Sequence, residues 1–126
     1  MSSDRALEVG AAASIDITVT DADTAIAQGS GDVPVLATPR VVALVEGAAC
    51  AVIAGTLEGD QTTVGVHIDL KHLKASEVGR EVRATATLQE LDGRMLHFQV
   101  EASMDDEVVA SGTHVRAIVK RAGFGG

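Results

Sequence analysis

The amino-acid sequence predicts an α+β domain in which an antiparallel sheet is wrapped around one long buried helix. Residues 41–54 are apolar at almost every position, which is typical of a helix enclosed on all sides. Before and after this run, apolar and polar residues alternate, which is the period of half-buried strands. Short turn sequences separate the later strands, so strands that follow one another along the chain are expected to pair antiparallel.

The first strand is predicted over residues 14–20, where alternate positions place three apolar side chains on one face: Ile15, Ile17 and Val19. The next stretch, residues 21–33, is rich in Asp, Gly, Ala and Ser and reads as a loop that contains at most a short helical turn. Such a loop is a candidate flap over a site.

The long helix is predicted to begin at Thr38-Pro39. A threonine oxygen can cap free backbone N–H groups, and proline tolerates the first helical position because its missing donor is not needed there. Gly55 is the predicted end of the helix. The helix should be enclosed, and its single cysteine, Cys50, is expected to be a buried thiol in a reducing compartment.

Four further strands are predicted after the helix, which gives a five- to six-stranded sheet. The first has Val64, Val66, Ile68 and Leu70 alternating with Thr63, Gly65, His67 and Asp69. The second alternates in the same way from Val82 to Gln89. Asp92-Gly93 predicts a tight hairpin to residues 95–104, and Asp105-Asp106 marks the turn before residues 108–120.

A chain of 126 residues is long enough for one hydrophobic core, so residues 1–126 are expected to form a single domain with flexible ends at 1–12 and 121–126. Aromatic residues make up only 2% of the chain, so small aliphatic side chains must fill the core. Each of them buries little area, and a homodimer interface is a reasonable way to add to that burial.

The net charge of −8 argues against a nucleic-acid partner, which requires a basic face. The N-terminus lacks the pattern of a signal peptide, and the longest apolar run is too short to span a membrane and contains Glu46. The sequence therefore predicts a cytoplasmic protein without a membrane or nucleic-acid partner.

Three residues could carry chemistry. Glu46 is the only charge in the apolar run 41–54, where an unpaired carboxylate costs several kcal/mol, but a structural ion pair explains it equally well. His72 stands where the strand pattern breaks, although a lone histidine is more often structural. Thr38 is more simply a helix cap. Together they supply a hydroxyl, a carboxylate and an imidazole, the components of an activated nucleophile or water.

No histidine pair has metal-ligand spacing, so neither a metal site nor a cofactor is predicted.

Several stretches resemble the fluoroacetyl-CoA thioesterase family of hot-dog proteins. They are V-L-A-T-P-R-V-V-A-L-V-E-G-A-A-C, H-L-K-A-S-E-V-G, L-D-G-R-M and S-G-T-H-V-R-A-I-V, and the resemblance runs from Thr38 to Arg116, about two thirds of the chain. It implies a hot-dog fold, an edge-to-edge homodimer whose pairing into tetramers stays open, and hydrolysis of a small acyl-CoA thioester at the dimer interface.

The resemblance also implies site residues: Thr38, Glu46 and His72 as catalytic groups, Gly65 lining the acyl pocket and Arg116 binding substrate. Two positions depart from the pattern. An aromatic lid residue would fall near Asp32, where this chain has none, and the bulky position after Glu46 is Gly47, which suggests a differently shaped or roomier pocket. Selectivity for fluoroacetyl-CoA is therefore not expected.

Two alternatives stay open: an acyl-CoA-binding dimer without activity, and a hot-dog hydratase or dehydratase that acts on an acyl thioester. A geometric question also stays open. If Thr38 and Glu46 share a regular helix, they are about 12 Å apart along its axis. Either the chain folds back before the helix, or the groups converge across two protomers, or they contact different parts of the substrate.

Overall fold

The computed structural model describes residues 6–123, which form a five-stranded antiparallel sheet with one long helix packed on it. The strands are β1 (Ala12–Thr18), β2 (Gln61–His72), β3 (Glu81–Asp92), β4 (Met95–Met104) and β5 (Glu107–Lys120). Their order in the sheet is β1-β3-β4-β5-β2, so β1 and β2 are the edge strands. A one-turn helix, α1 (Ala25–Gln28), precedes the long helix, α2 (Thr38–Ile53). The predicted α+β architecture is confirmed, with five strands.

The two ends of the described chain are hydrogen-bonded to neighbouring segments. The N–H of Gly10 donates to the carbonyl of Leu88, and the N–H of Arg121, in the short 3-10 helix Arg121–Gly123, donates to the carbonyl of Asp60. The predicted flexible ends fall in part on residues 1–5 and 124–126, which lie outside the described residues. Among the residues that are described, no helix is both long enough and apolar enough to cross a membrane.

Helix α2 begins one residue earlier than a threonine cap would require. Its N-cap is Ala37, and Thr38 is the first helical residue, followed by Pro39. The N–H of Ala37 donates to the carbonyl of Asp23, so a backbone contact from the preceding loop sets the helix start. The prediction that Thr38 caps the helix is wrong. Gly55 adopts a φ of 78° just after the helix, which confirms it as the stop.

One face of α2 is packed on the sheet and the other is open in the single chain. The buried face consists of seven apolar residues: Val41, Leu44, Val45, Ala48, Ala49, Val52 and Ile53. Pro39, Ala43 and Cys50 are exposed. The predictions of an enclosed helix and a buried Cys50 thiol are therefore wrong for one protomer, because the sheet covers only one side of the helix.

The core lies between α2 and the inner faces of β3 and β4. The alternation predicted for β3 is confirmed, since Val82, Ala84, Ala86 and Leu88 are fully buried. The hairpins are confirmed as well. Asp105 and Asp106 have φ values of 51° and 63°, as a two-residue turn with both central residues left-handed requires. The other turn lies at Gly93 and Arg94, one residue beyond the predicted Asp92-Gly93, because Asp92 still pairs with Met95. Its first central residue, Gly93, is left-handed with a φ of 61°.

Strand β2 does not follow the uniform alternation that was predicted for it. Its register against β5 shifts between Gly65 and His67, which leaves Val66 unpaired as a β-bulge and 50% exposed. Gly65 lies opposite Arg116, and Ile68 lies opposite His114. Because directly opposed residues share a face, the bulge brings Gly65 and Ile68 to the helix side, and the inward placement of Val64 and Val66 is wrong.

Gly112 allows the close approach of β5 to β2. A Cβ atom built on it would overlap the backbone carbonyl of Asp69, which cannot move away without breaking the ladder. We expect Gly112→Ala to lower the free energy of unfolding by about 3 kcal/mol, measured by thermal or urea denaturation. Gly123→Ala is the control, since nothing lies within 4 Å of its Cβ position. Equal stability of the two variants would contradict the packing described here.

Candidate active site

A hydroxyl and an imidazole meet where α2 begins and β2 ends. The Oγ1 atom of Thr38 lies 2.8 Å from Nδ1 of His72 in a hydrogen bond between residues 34 positions apart in the chain. Thr38 can make this contact because the helix is capped at Ala37, so its hydroxyl faces the strand. The structure therefore brings together two of the three predicted catalytic residues.

The His72 side chain is half-buried, and this environment favours its neutral form. Burial lowers the pKa of His72 below its ordinary value of 6.5, and the backbone of Lys74 has an opposing effect. A neutral imidazole carries a lone pair on one ring nitrogen. At neutral pH, His72 can therefore accept a proton from the Thr38 hydroxyl or from a water molecule beside it.

A cavity of about 350 Å³ opens beside the Thr38–His72 pair. Its lining includes Ala25 and residues 30–33 from the loop that was predicted to be a flap, and residues 73–75 after β2. The lining contains Asp32 but no Phe, Tyr or Trp. The loop therefore borders the site as predicted, and the position expected for an aromatic lid is occupied by a short acidic side chain.

A second polar cluster surrounds Glu46 near the middle of α2. Oε2 of Glu46 lies 3.7 Å from Nη1 of Arg116 and 3.8 Å from Nε2 of His114. Arg116 is 8% exposed, and its guanidinium also donates to the hydroxyl and the carbonyl of Thr63, at 2.9 Å and 3.3 Å. The Glu46 carboxylate thus has a cationic neighbour, although no direct hydrogen bond joins them.

The hydrogen bonds of His114 determine its tautomer. Nδ1 lies 2.7 Å from the carbonyl oxygen of His67, which can only accept, so Nδ1 carries the proton. Nε2 lies 3.2 Å from Nη1 of Arg116, which can only donate, so Nε2 is the acceptor. Burial is the main cause that lowers the pKa of His114, and the positive charge of Arg116 lowers it further. The hydrogen bond to the His67 backbone and the negative charge of Glu46 raise the pKa but do not cancel this decrease. His114 is therefore neutral.

Gly65 leaves space in front of the Glu46 carboxylate. A Cβ atom on Gly65 would lie 2.7 Å from Oε2 of Glu46 and 3.2 Å from the His114 ring. Glu46, Gly65 and His114 line a cavity of about 210 Å³ together with residues 66–68. Arg116, the fifth predicted site residue, lies on the strand opposite Gly65.

Gly47 does not enlarge a pocket in this chain. Its absent Cβ would lie 2.9 Å from Cδ1 of Ile15, so a side chain of β1 occupies that space. The glycine thus lets β1 approach α2 closely and adds no room on that side, while the expectation of a differently shaped pocket stays a prediction.

The five predicted site residues form two groups within one protomer. Thr38 and Glu46 lie on one continuous helix and are therefore about 12 Å apart along its axis. The chain does not fold back between them, which eliminates one of the three geometric alternatives. Convergence across two protomers and contact with different parts of one substrate remain compatible with the structure.

Sequence reasoning gave His114 no more weight than any other histidine, and Thr63 none. The available signal was the spacing of His114 and Arg116, which are two residues apart on one strand and therefore share a face. That spacing could not show that the shared face is turned toward Glu46.

Comparison with known proteins gives a consistent result. The family model for fluoroacetyl-CoA-specific thioesterases matches residues 19–122. A fluoroacetyl-CoA thioesterase from Streptantibioticus cattleyicolor is 35% identical over 85 residues, which span 68% of this chain but only 61% of that relative.

Two solved structures show the same architecture. The crystal structure of a mutant of the fluoroacetyl-CoA-specific thioesterase in complex with fluoroacetate and CoA has a TM-score of 0.86 at 30% identity, covering 93% of this chain and 98% of that one. A hot-dog-like protein from Thermanaerovibrio acidaminovorans has a TM-score of 0.83 at 20% identity, with 95% of each chain covered, and this likeness concerns the fold alone. The predicted hot-dog fold is confirmed.

Proposed function

Because this chain belongs to the fluoroacetyl-CoA-specific thioesterase family, we propose that it hydrolyses a small acyl-CoA thioester to the free acid and coenzyme A. The observation that carries this proposal is the hydrogen bond between Thr38 Oγ1 and His72 Nδ1, beside an open cavity. A hydroxyl in contact with a neutral imidazole is the arrangement that activates an oxygen nucleophile.

In this proposal, His72 is the general base. With the ring proton on Nε2, Nδ1 accepts a proton from the Thr38 hydroxyl or from a water molecule held by it. The oxygen then attacks the thioester carbonyl, the C–S bond breaks, and the thiolate of coenzyme A leaves as the thiol after taking the proton that His72 had accepted. Where Thr38 attacks first, water hydrolyses the resulting acyl-enzyme.

We place the third catalytic group, Glu46, in the same reaction through a homodimer. The face of α2 that carries Pro39, Ala43 and Cys50 is apolar and exposed in one protomer, and β2 is an unpaired edge strand with an exposed Val66. Both features would be covered if two sheets joined edge to edge. The Thr38–His72 pair of one protomer would then face the Glu46 cluster of its partner.

The acyl group would occupy the space in front of Glu46. Gly65 would line this pocket, and Arg116 would donate to an electronegative atom of the acyl group or to its carbonyl oxygen. The cavity beside Thr38 would take the coenzyme A arm on its way to solvent. The absence of an aromatic residue from the lining of that cavity argues against a site specialised for fluoroacetyl-CoA.

The cytoplasmic location of the protein stays a prediction from the sequence.

The decisive experiment is release of free coenzyme A, detected with a thiol reagent. The substrates are acetyl, fluoroacetyl, propionyl, butyryl, longer-chain and aryl thioesters. Hydrolysis predicts stoichiometric thiol release on at least one of them. Saturable binding without turnover would indicate an acyl-CoA-binding dimer. Conversion of an enoyl thioester without thiol release would indicate a hydratase.

The Thr38 hydroxyl is tested by two variants, one that keeps the side-chain shape without the hydroxyl and one that keeps the hydroxyl without the methyl group. Thr38→Val removes the hydroxyl and should lower kcat by at least about tenfold, whereas Thr38→Ser keeps the hydroxyl and should stay within about threefold of wild type. Steady-state thiol release measures both. Wild-type kcat in Thr38→Val would remove the hydroxyl from the proposed mechanism.

The pH dependence of kcat/KM follows from the lowered pKa of His72. Protonation removes the lone pair that accepts the proton, so activity should fall on acidification. Because burial lowers the pKa of His72 from its ordinary value of 6.5, the midpoint of the fall in kcat/KM should lie below pH 6.5. A quenched assay over a pH series measures this midpoint. A midpoint above 6.5 would contradict the assignment of His72 as a base in this environment.

A further inference from the structure

We infer that His114 is a positioning residue that holds the Arg116 guanidinium away from the Glu46 carboxylate. This inference rests on the proposed function, in which Glu46 takes part in hydrolysis.

His114 connects the bulge of β2 to Arg116 on β5. One ring nitrogen donates to the carbonyl of His67, the residue after the unpaired Val66, and the other accepts from Nη1 of Arg116. The ring is 1% exposed, and the Phe98 ring stacks against it with an interplanar angle of 29°. With both nitrogens bonded and its ring stacked, His114 has a fixed orientation.

The fixed orientation matters because the bond to His114 sets the position of Nη1 of Arg116, whose second N–H group then stays too far from the Glu46 carboxylate to donate to it. Nη1 lies 3.2 Å from Nε2 of His114 and 3.7 Å from Oε2 of Glu46. Thr63 holds the rest of the guanidinium through Nε and Nη2. Without the imidazole acceptor, Nη1 would need to move by less than 1 Å to donate directly to the carboxylate.

Direct pairing would change Glu46. A hydrogen-bonded guanidinium stabilises the ionised carboxylate, which makes it a weaker proton acceptor, and it fixes the oxygen that faces the cavity. His114 prevents this while carrying no charge of its own. Its neutral state follows from geometry. Nδ1 faces the His67 carbonyl, which can only accept a hydrogen bond, and Nε2 faces an Arg116 N–H group, which can only donate one.

Three substitutions separate this role from simple packing. In His114→Gln, the side-chain oxygen can take the place of Nε2 and accept from Arg116. In His114→Asn, the shorter amide can take the place of Nδ1 and donate to His67, but it leaves Arg116 without its acceptor. His114→Leu removes both functions. We expect kcat to fall about tenfold in the Asn and Leu variants with KM changed less than threefold, and the Gln variant to stay within about threefold of wild type.

A double-mutant cycle tests whether His114 acts through Arg116. Adding His114→Leu to Arg116→Gln should cause no further loss of kcat, because the group being positioned is already gone. An additive loss would overturn the inference. So would equal kcat in all three His114 variants with losses only in melting temperature, which is the result expected of packing alone.

The tautomer provides a test that does not depend on turnover. Long-range ¹H–¹⁵N correlation spectra of the wild-type protein should show His114 neutral with its proton on Nδ1, and Arg116→Gln should shift the Nε2 resonance. A proton on Nε2 would overturn the inference whether or not any thioester is hydrolysed. Failure of the proposed function would appear separately, as wild-type protein with the expected spectrum and no thiol release.

Discussion

His72→Ala should lose at least about 100-fold in thioester turnover while keeping its fold, because it removes the only base in contact with the Thr38 hydroxyl in the described part of the chain. The loss should appear in kcat, since binding of the coenzyme A moiety does not require the imidazole. Thiol release from the best substrate of the panel measures it. Circular dichroism and the melting temperature report the state of the fold.

The matched control is His97→Ala. His97 lies on β4 between the buried residues Leu96 and Phe98, so its side chain is on the opposite face of the sheet from the core and from the site. This variant should retain wild-type kcat and KM. Wild-type activity in His72→Ala would remove His72 from the mechanism, and an equal loss in His97→Ala would show that histidine removal acts through stability.

The fold could be predicted from the sequence wherever one local rule decided the outcome. On β3, every second residue from Val82 to Leu88 is small and aliphatic, and each of them is buried. Gly93 and the Asp-Asp pair supply the left-handed backbone that tight hairpins need, and Gly93, Asp105 and Asp106 all adopt a positive φ. These features depend on neighbours in the chain, so they can be read without a structure.

Local rules failed where a distant contact decided the outcome. Thr38-Pro39 satisfies the rules for a helix start, with Thr38 as the N-cap. In the structure the N–H of Ala37 donates a hydrogen bond to the carbonyl of Asp23, and Ala37 is the N-cap instead. The bulge at Val66 cannot be predicted from the apolar–polar alternation of β2. Gly65 has no side chain, so the sequence pattern does not indicate which face of the sheet it lies on. Both differences from the prediction affect the site. With Ala37 as the cap, the Thr38 hydroxyl is free to contact His72, and the bulge places Gly65 on the side of the sheet that faces Glu46.

The resemblance predicts which residues form the candidate site, but it does not predict how those residues are arranged in space. Spacing along the chain cannot show that Thr38 meets His72 or that Glu46 meets Arg116, since each pair joins residues far apart in sequence. The ~12 Å separation of Thr38 and Glu46 follows from helix geometry alone once both lie on α2. That separation rules out direct contact between the Thr38 hydroxyl and the Glu46 carboxylate within one protomer.

Glu46→Gln should lower kcat by about 100-fold if the carboxylate acts in the reaction, since the amide keeps the shape and loses the charge. The fold should be unaffected, because the Glu46 side chain is 37% exposed and makes no direct hydrogen bond to Arg116. Glu101→Gln, on the exposed side of β4, is the charge-matched control and should be neutral. Unchanged kinetics in Glu46→Gln would leave Glu46 with a structural role only.

Mixing two inactive variants tests how the groups converge. If the Thr38–His72 pair of one protomer works with Glu46 of its partner, a heterodimer of His72→Ala and Glu46→Gln holds one site with both defects and one intact site. Random exchange makes half of the dimers mixed, so activity should recover to about one quarter of wild type. If the three residues act within one protomer, each site of the mixed dimer carries one defect and the mixture stays inactive. Recovery would therefore establish that the catalytic site is complete only when two protomers join.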